Sequence, residues 1–221
     1  MKRTRYLVLL SVMGLTTLLS AQGGRMGQGQ RGGDDSGKIG QFQGGSEADR
    51  QLWMATFNGQ LDQVKSAIAQ GADVNFRGKG GVSPIVVAAR NGYLEIVQYL
   101  VEHGATIDQR DNVREKSALL AAAFKGHSDI SAYLIEHGAD VNAQAVNGWT
   151  PLHDAAFIGD FKTVKMLVDH GARLDIKNQN GRTALQTAEQ GRIQAPQHNL
   201  TQATPQDYQQ TIDYIKSHMK Q

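Results

Sequence analysis

From Glu47 onward the apolar residues come in short bursts at helical spacing, and the bursts come in pairs. In TPLHDAAFIG, residues 150–159, Leu152, Ala155 and Ala156 mark a narrow apolar face. In DFKTVKMLVDHG, residues 160–171, Phe161, Val164, Leu167 and Val168 repeat at the spacing of one helix face. Both predict short amphipathic helices separated by a turn. Thr150 is a good N-cap, and Pro151 suits the first helical position, where its fixed φ is already helical and its missing N–H is not needed. Gly171 is suited to a left-handed C-terminal cap. Neither segment is long enough to hold a helix in water by itself, so each depends on stacking against a neighbour.

The pairs recur. Gly71, Gly104, Gly138 and Gly171 are separated by 33, 34 and 33 residues, and Gly59, Gly92, Gly126 and Gly159 give the same series. A period of this size is the mark of a solenoid, in which each unit buries its apolar face only against the next. The one extra residue falls between Gly104 and Gly126, within the polar stretch QRDNVREK. A loop absorbs an insertion at little entropic cost, whereas a helix would be thrown out of phase.

The stretches NGWTPLHDAAFIGDFKTVKMLVDHGARLD, NGYLEIVQYLVEHGATID and KGHSDISAYLIEHGADVNA carry a TPLH-type start, an alanine pair, a mid-repeat Gly and a GAD-like tail. In that order and at that period they resemble ankyrin repeats, from about Glu47 to the C-terminus. The resemblance implies an all-α repeat solenoid of about five helix-turn-helix units joined by β-hairpin fingers, with a concave inner-helix face. The units are placed at 47–81, 82–115, 116–148, 149–181 and 182–221, the last with a polar insertion at 193–205. Departures from the pattern carry their own expectations. The first unit has no TPLH but opens SEADRQLW, where Ser46 can cap and Asp49 can reach back to it. SPIV at Ser83–Val86 and SALL at Ser117–Leu120 replace the family's His by apolar residues. Glu115 stands where the finger normally has Gly, so that finger is expected to be irregular. Arg192 stands at the last mid-repeat Gly, and Thr204, Pro205, Tyr208, Ile212 and Ile215 predict a closing helix.

Ahead of the repeats, MKRTRYLVLLSVMGLTTLLSA has a basic start, an apolar stretch from Tyr6 to Leu19, and small residues at Ser20 and Ala21. This is the layout of a secretory signal peptide over residues 1–21, and it predicts an exported protein, periplasmic or secreted. The apolar run falls short of the roughly 20 residues that span a bilayer, so no membrane span is expected after cleavage. Residues 22–46 are dominated by Gly and Gln and predict a flexible linker. The formal charge of +2 belongs to the leader: without Lys2, Arg3 and Arg5 the remaining chain has 20 basic and 21 acidic residues, a charge of −1. A chain so balanced, with sparse Arg in the linker, is not expected to bind nucleic acid. The absence of cysteine removes disulfides, thiolate metal sites and cysteine nucleophiles.

Among the seven histidines, His103, His137 and His170 occupy equivalent positions next to Glu102, Glu136 and Asp169. One His per stacked unit cannot form a metal site, since packed helices lie about 8 to 10 Å apart and ligands must converge within about 2.1 Å of one ion. A histidine in the last helical turn is better read as favouring the negative end of the helix dipole. His153 beside Asp154 resembles a base and its orienter, but no nucleophile elbow, HExxH, P-loop or dinucleotide fingerprint accompanies the pair. No cofactor or metal is expected. A histidine- and carboxylate-dependent hydrolase or a metal-binding protein is the alternative to a non-enzymatic module.

Aligning the inner helices places Phe57, Arg90, Phe124, Phe157 and Gln190 in one column, beside Asn58, Asn91, Lys125, Ile158 and Gly191. The resemblance implies that these two columns lie on the concave face and vary with the partner. Exposed Phe is costly in water, each side chain contributing about 1.5 to 3 kcal/mol when fully buried. Phe57, Arg90, Phe124, Lys125, Phe157 and Ile158, with Trp149 at a finger base and Asp154 to fix register, are therefore the candidate contacts for a protein partner. The function expected is a monomeric, non-enzymatic interaction module outside the cytoplasm.

Overall fold

Each inner helix begins at a Ser or Thr, and at all but Ser83 the hydroxyl meets a free N–H of the first turn. Ser46 and Asp49 form a reciprocal capping box at the first helix, with Ser46 N–H donating to Asp49 Oδ2 at 2.6 Å and Asp49 N–H to Ser46 Oγ at 3.1 Å. Thr150 and Thr204 cap two later helices in the same way, each followed by Pro at the start of the helix. The computed structural model describes residues 44–194 and 201–219, within a unit assigned to Ile39–Gln221. The leader at 1–21, nearly all of the linker at 22–46, and residues 195–200 of the insertion lie outside the described residues.

The inner row of helices is α1 (Glu47–Phe57), α3 (Pro84–Asn91), α5 (Ala118–Lys125), α7 (Pro151–Ile158) and α9 (Ala184–Gln194). The outer row is α2 (Leu61–Ala69), α4 (Leu94–Glu102), α6 (Ser128–Glu136), α8 (Phe161–Asp169) and α10 (Pro205–His218). Each row packs along its own length, and each inner helix packs on its outer partner. The core is one apolar strip that runs through all five pairs, from Leu52 and Val64 through Ile85, Leu100, Leu119 and Leu134 to Leu167 and Ile215. Small residues such as Ala88, Ala122 and Ala155 face neighbouring inner helices and let them approach closely.

Helix ends follow the glycines. Gly159 caps α7 at φ 74°, a left-handed conformation that L side chains rarely tolerate. At the corresponding place in the last unit stands Arg192, and α9 runs past it to Gln194. The polar bases of successive units are clasped by one repeated residue. Asn75 accepts from Thr106 N–H at 2.7 Å and donates to the Gly104 carbonyl, and Asn142 makes the same pair with Arg173 and Gly171. Asp108 takes this place in the unit between, accepting from Asp140 N–H.

The fingers are present as turns, three of them closed by two backbone bonds each: Gly78 N–H to the Val82 carbonyl with Gly81 N–H to Gly78, Ala145 to Trp149 with Gly148 to Ala145, and Asn178 to Arg182 with Gly181 to Asn178. No strand occurs among the described residues. The β-hairpin expectation is corrected to this extent, because the bonds within a finger close its turn and do not continue along the arms, where a ladder needs successive pairs. The sideways bonds join the fingers in a row: Asn112 N–H to Gly80, Val146 to Arg114, and Gln179 to Asn147. The second finger is longer, closed by Asp111 N–H to the Lys116 carbonyl. Glu115 there adopts φ 53°, alone among described non-glycine residues, where the other fingers have Gly81, Gly148 and Gly181. The extra residue of the 34-residue interval is thus accommodated in the finger.

Where the family histidine is missing, the packing changes as the sequence suggests. Leu120 is fully buried with Ala143 and Ala145 under the adjoining finger, and Val86 is fully buried in the core. Ser83 Oγ, which in Thr150's setting would face the imidazole, is buried without a hydrogen bond.

Candidate binding groove

The inner helices and the fingers meet along a groove floored by residues of α3, α5 and α7. Phe57 and Phe124 are 51% and 38% exposed at the ends of α1 and α5. Phe57 is backed by Trp53, stacked 5.6 Å away, and the Trp53 indole N–H donates to the Val82 carbonyl. Phe157 is half-buried, packed edge-on against Trp149 at 5.6 Å. Phe124 lies between two ammonium groups, Lys116 Nζ at 4.2 Å and Lys125 Nζ at 5.7 Å from its ring centre. The aromatics of the column therefore pack within their own units rather than on one another.

Two adjoining hollows of about 400 and 360 Å³ flank Phe124 and share Val113, Arg114 and Lys116 in their walls. The first reaches Arg90 and Lys125, and the second reaches Trp149 and Asp154. Val113 and Val146, at the tips of the second and third fingers, are 67% and 52% exposed. The sequence reading missed them, together with Arg114 and Lys116. The available signal was a valine inside an otherwise polar finger, recurring 33 residues later.

Two candidate contacts are corrected. Ile158 is buried, with its Cδ1 over Gly126 of the preceding unit, so it belongs to the stack and not to the exposed face. Asp154 is only 2% exposed and pairs with Lys116 Nζ at 3.4 Å. It positions Lys116 from below and cannot meet a partner directly. Arg90, by contrast, keeps its guanidinium accessible while lying 4.0 Å from buried Asp111, whose Oδ1 accepts from the N–H groups of Val113 and Arg114.

Burial pushes the Asp154 carboxyl from its ordinary 3.8 up to about 6, the ammonium of Lys116 pulling the other way. The folded chain therefore holds this proton more tightly than the unfolded chain. Asp154's contribution to stability is complete below about pH 3.8 and is lost as pH rises through about 6. Between pH 4 and pH 7 the native protein is expected to lose on the order of 2 kcal/mol relative to Asp154→Asn, measured by denaturant unfolding. Parallel changes in the two proteins would show that the carboxyl does not titrate in the fold.

His153 and Asp154 do not act together. His153 Nε2–H donates to the Arg182 carbonyl at 3.0 Å, and Nδ1 accepts from Thr150 Oγ1 at 2.8 Å. Burial holds this imidazole below its ordinary pKa. His103, His137 and His170 each donate from Nδ1 to a carbonyl four residues back, at 2.8, 2.7 and 2.8 Å. These bonds satisfy last-turn carbonyls. Among the described residues no three His or acidic groups are placed to share a metal ion, and no helix is long and apolar enough to cross a membrane.

Among the described residues, five stacked helix pairs, a row of joined turns and a groove between them define a helical repeat solenoid. The family described as ankyrin repeats (3 copies) matches residues 52–145 and again 142–195. The chain belongs to the ankyrin-repeat family. It is 43% identical over 61 residues to ankyrin repeat and KH domain-containing protein mask-1 of Caenorhabditis elegans, covering 28% of this chain and 2% of that protein. It is 35% identical over 60 residues to ankyrin repeat domain-containing protein 39 of Homo sapiens, covering 27% and 33%. A match of 46% over 55 residues to palmitoyltransferase AKR1 of Lachancea kluyveri covers 24% of this chain and 8% of that protein. The aligned segments thus cover a third or less of the length of these relatives. Ankyrin repeats serve as protein-interaction modules and are generally non-enzymatic.

Proposed function

We propose that this array is a passive docking module that holds a protein partner in the groove between its inner helices and fingers, in an exported setting. The observation that carries the reading is the exposed apolar set around the two hollows: Phe124 on the floor, Val113 and Val146 on the rim. Aromatic residues at the centre of a concave patch with cationic edges have the composition of a binding hot spot. Phe124→Ala and Trp149→Ala are each expected to weaken partner capture by about 1 kcal/mol or more with little change in melting temperature. Capture on immobilised wild-type and variant arrays from the host's exported fraction is the measurement. Variants that retain the partner as well as wild type would remove this groove as the principal site.

The exported location rests on the basic and apolar leader. The protein recovered from its host is expected to begin near Gln22, and mass spectrometry reads this directly. An intact Met1 start in the cytosolic fraction would end that part of the proposal.

A further inference from the structure

The charge lining the groove is one-sided. Arg90, Arg114 and Lys125 present accessible cationic heads around the hollows beside Phe124, and Lys116 adds a fourth from the floor. The two carboxylates in the same walls are withdrawn from the surface: Asp111 is buried under the backbone N–H groups of its own finger, and Asp154 is buried beneath Lys116. This concentration of positive charge is local, because the chain beyond the leader carries a net charge of −1. Exposed Glu115 shares the finger with Arg114 but does not line either hollow, and Asp62, Glu95, Glu102, Asp129, Glu136 and Asp108 are exposed on the outer helices and unit bases.

From this distribution we infer that the groove selects an acidic peptide segment, with one apolar or aromatic side chain seated beside Phe124 and carboxylates on either side of it. The inference rests on the docking role proposed above and adds the chemistry of the occupant. Each hollow has ample room for a large side chain, and exposed Val113 and Val146 beside them suit an apolar anchor rather than a sugar-phosphate backbone. Arg90, Arg114 and Lys125 surround that anchor in place of forming the extended basic stripe that a nucleic acid would follow. Carboxylates meeting them are held at the rim, where charge sets selectivity and association rate.

Fluorescence polarisation with three labelled heptapeptides tests it on the full chain: a central phenylalanine flanked by three acidic residues on each side, the same peptide with the corresponding amides, and a basic counterpart. The acidic peptide is expected to bind at least tenfold tighter than the amide peptide. Its affinity is expected to fall several-fold between 50 and 300 mM salt. The double variant Arg114→Glu, Lys125→Glu is expected to lose at least tenfold in affinity with an unchanged melting temperature, and the single variant Lys125→Glu part of that. Equal binding of acidic and amide peptides, preference for the basic peptide, or stronger binding of a single-stranded oligonucleotide through the same residues would each overturn the inference. A captured partner that is lost on Phe124→Ala but indifferent to the charge-reversed variant would leave the docking groove standing and remove its acidic preference.

Discussion

Leu167→Ala is expected to destabilise the array by about 2 to 5 kcal/mol, while His103→Ala, at the exposed end of an outer helix two units earlier, costs about 0.5 kcal/mol or less. Leu167 sits at the centre of α8, fully buried in the apolar strip with Ile130, Leu134, Leu152, Val164 and Ile215. Helix α8 packs on α6, α7 and α10 at once, so the vacated volume lies where three elements hold the walls apart. A cavity that cannot collapse adds its own penalty to the lost transfer energy. His103 gives up one bond to the Tyr99 carbonyl and a ring contact at 3.9 Å, both at the surface. Denaturant unfolding of the two variants makes the comparison. Equal losses would show that the outer helices are not held by their apolar faces.

Gly191→Ala is the second large effect, with an expected loss of about 2 to 3 kcal/mol confined to the C-terminal end of the array. A Cβ at this position would fall 2.0 Å from the Phe157 carbonyl oxygen and within 2.8 Å of that residue's backbone carbons. The Cβ is fixed to its own backbone and the atoms it meets are main chain, so no rotamer change relieves the clash, and α9 must move off α7. The same carbonyl accepts the buried Tyr208 hydroxyl at 2.9 Å, which ties α10 to the contact as well. Alanine's better helix propensity, worth up to about 1 kcal/mol over glycine, offsets only part of the penalty. Unfolding curves and limited proteolysis between α9 and α10 report the change. Unaltered stability and cleavage would mean that the two helices do not approach this closely.

The helices were legible because period, caps and breakers agree: Thr150 with Pro151, Ser46 with Asp49, and Thr204 with Pro205 all cap as their residue types suggest. The finger irregularity at Glu115 was legible for the same reason, a non-glycine in a place that demands positive φ. The groove was legible only in part. Column positions identify which residues leave the end of an inner helix together, and Phe57, Arg90, Phe124 and Lys125 do emerge at the surface. Which of their neighbours are covered depends on the adjoining unit, and no single repeat encodes that. Ile158 is lost to the surface because Gly126 in the unit before it leaves room for its side chain. Asp154 is lost because Lys116, in another unit, reaches over it. Val113 and Val146 were missed because a finger has no helical periodicity against which an apolar residue stands out, and only their recurrence 33 residues apart marked them.

The pairing of Lys116 with Asp154 also bears on how five similar units avoid docking in the wrong order. In the neighbouring units the place of Lys116 is taken by Val82, Trp149 and Arg182, and the place of Asp154 by Val87, Ala121 and Thr187. A chain that skipped a unit while collapsing, setting the fourth against the second, would bury the Asp154 carboxyl opposite Val82 without a cation. Nothing in the apolar strip penalises such slippage strongly, because leucine, isoleucine and alanine recur at equivalent positions. A carboxylate buried without its cation is costly, so the Lys116–Asp154 pair disfavours that slipped order and acts as a keyed joint in an otherwise repetitive stack.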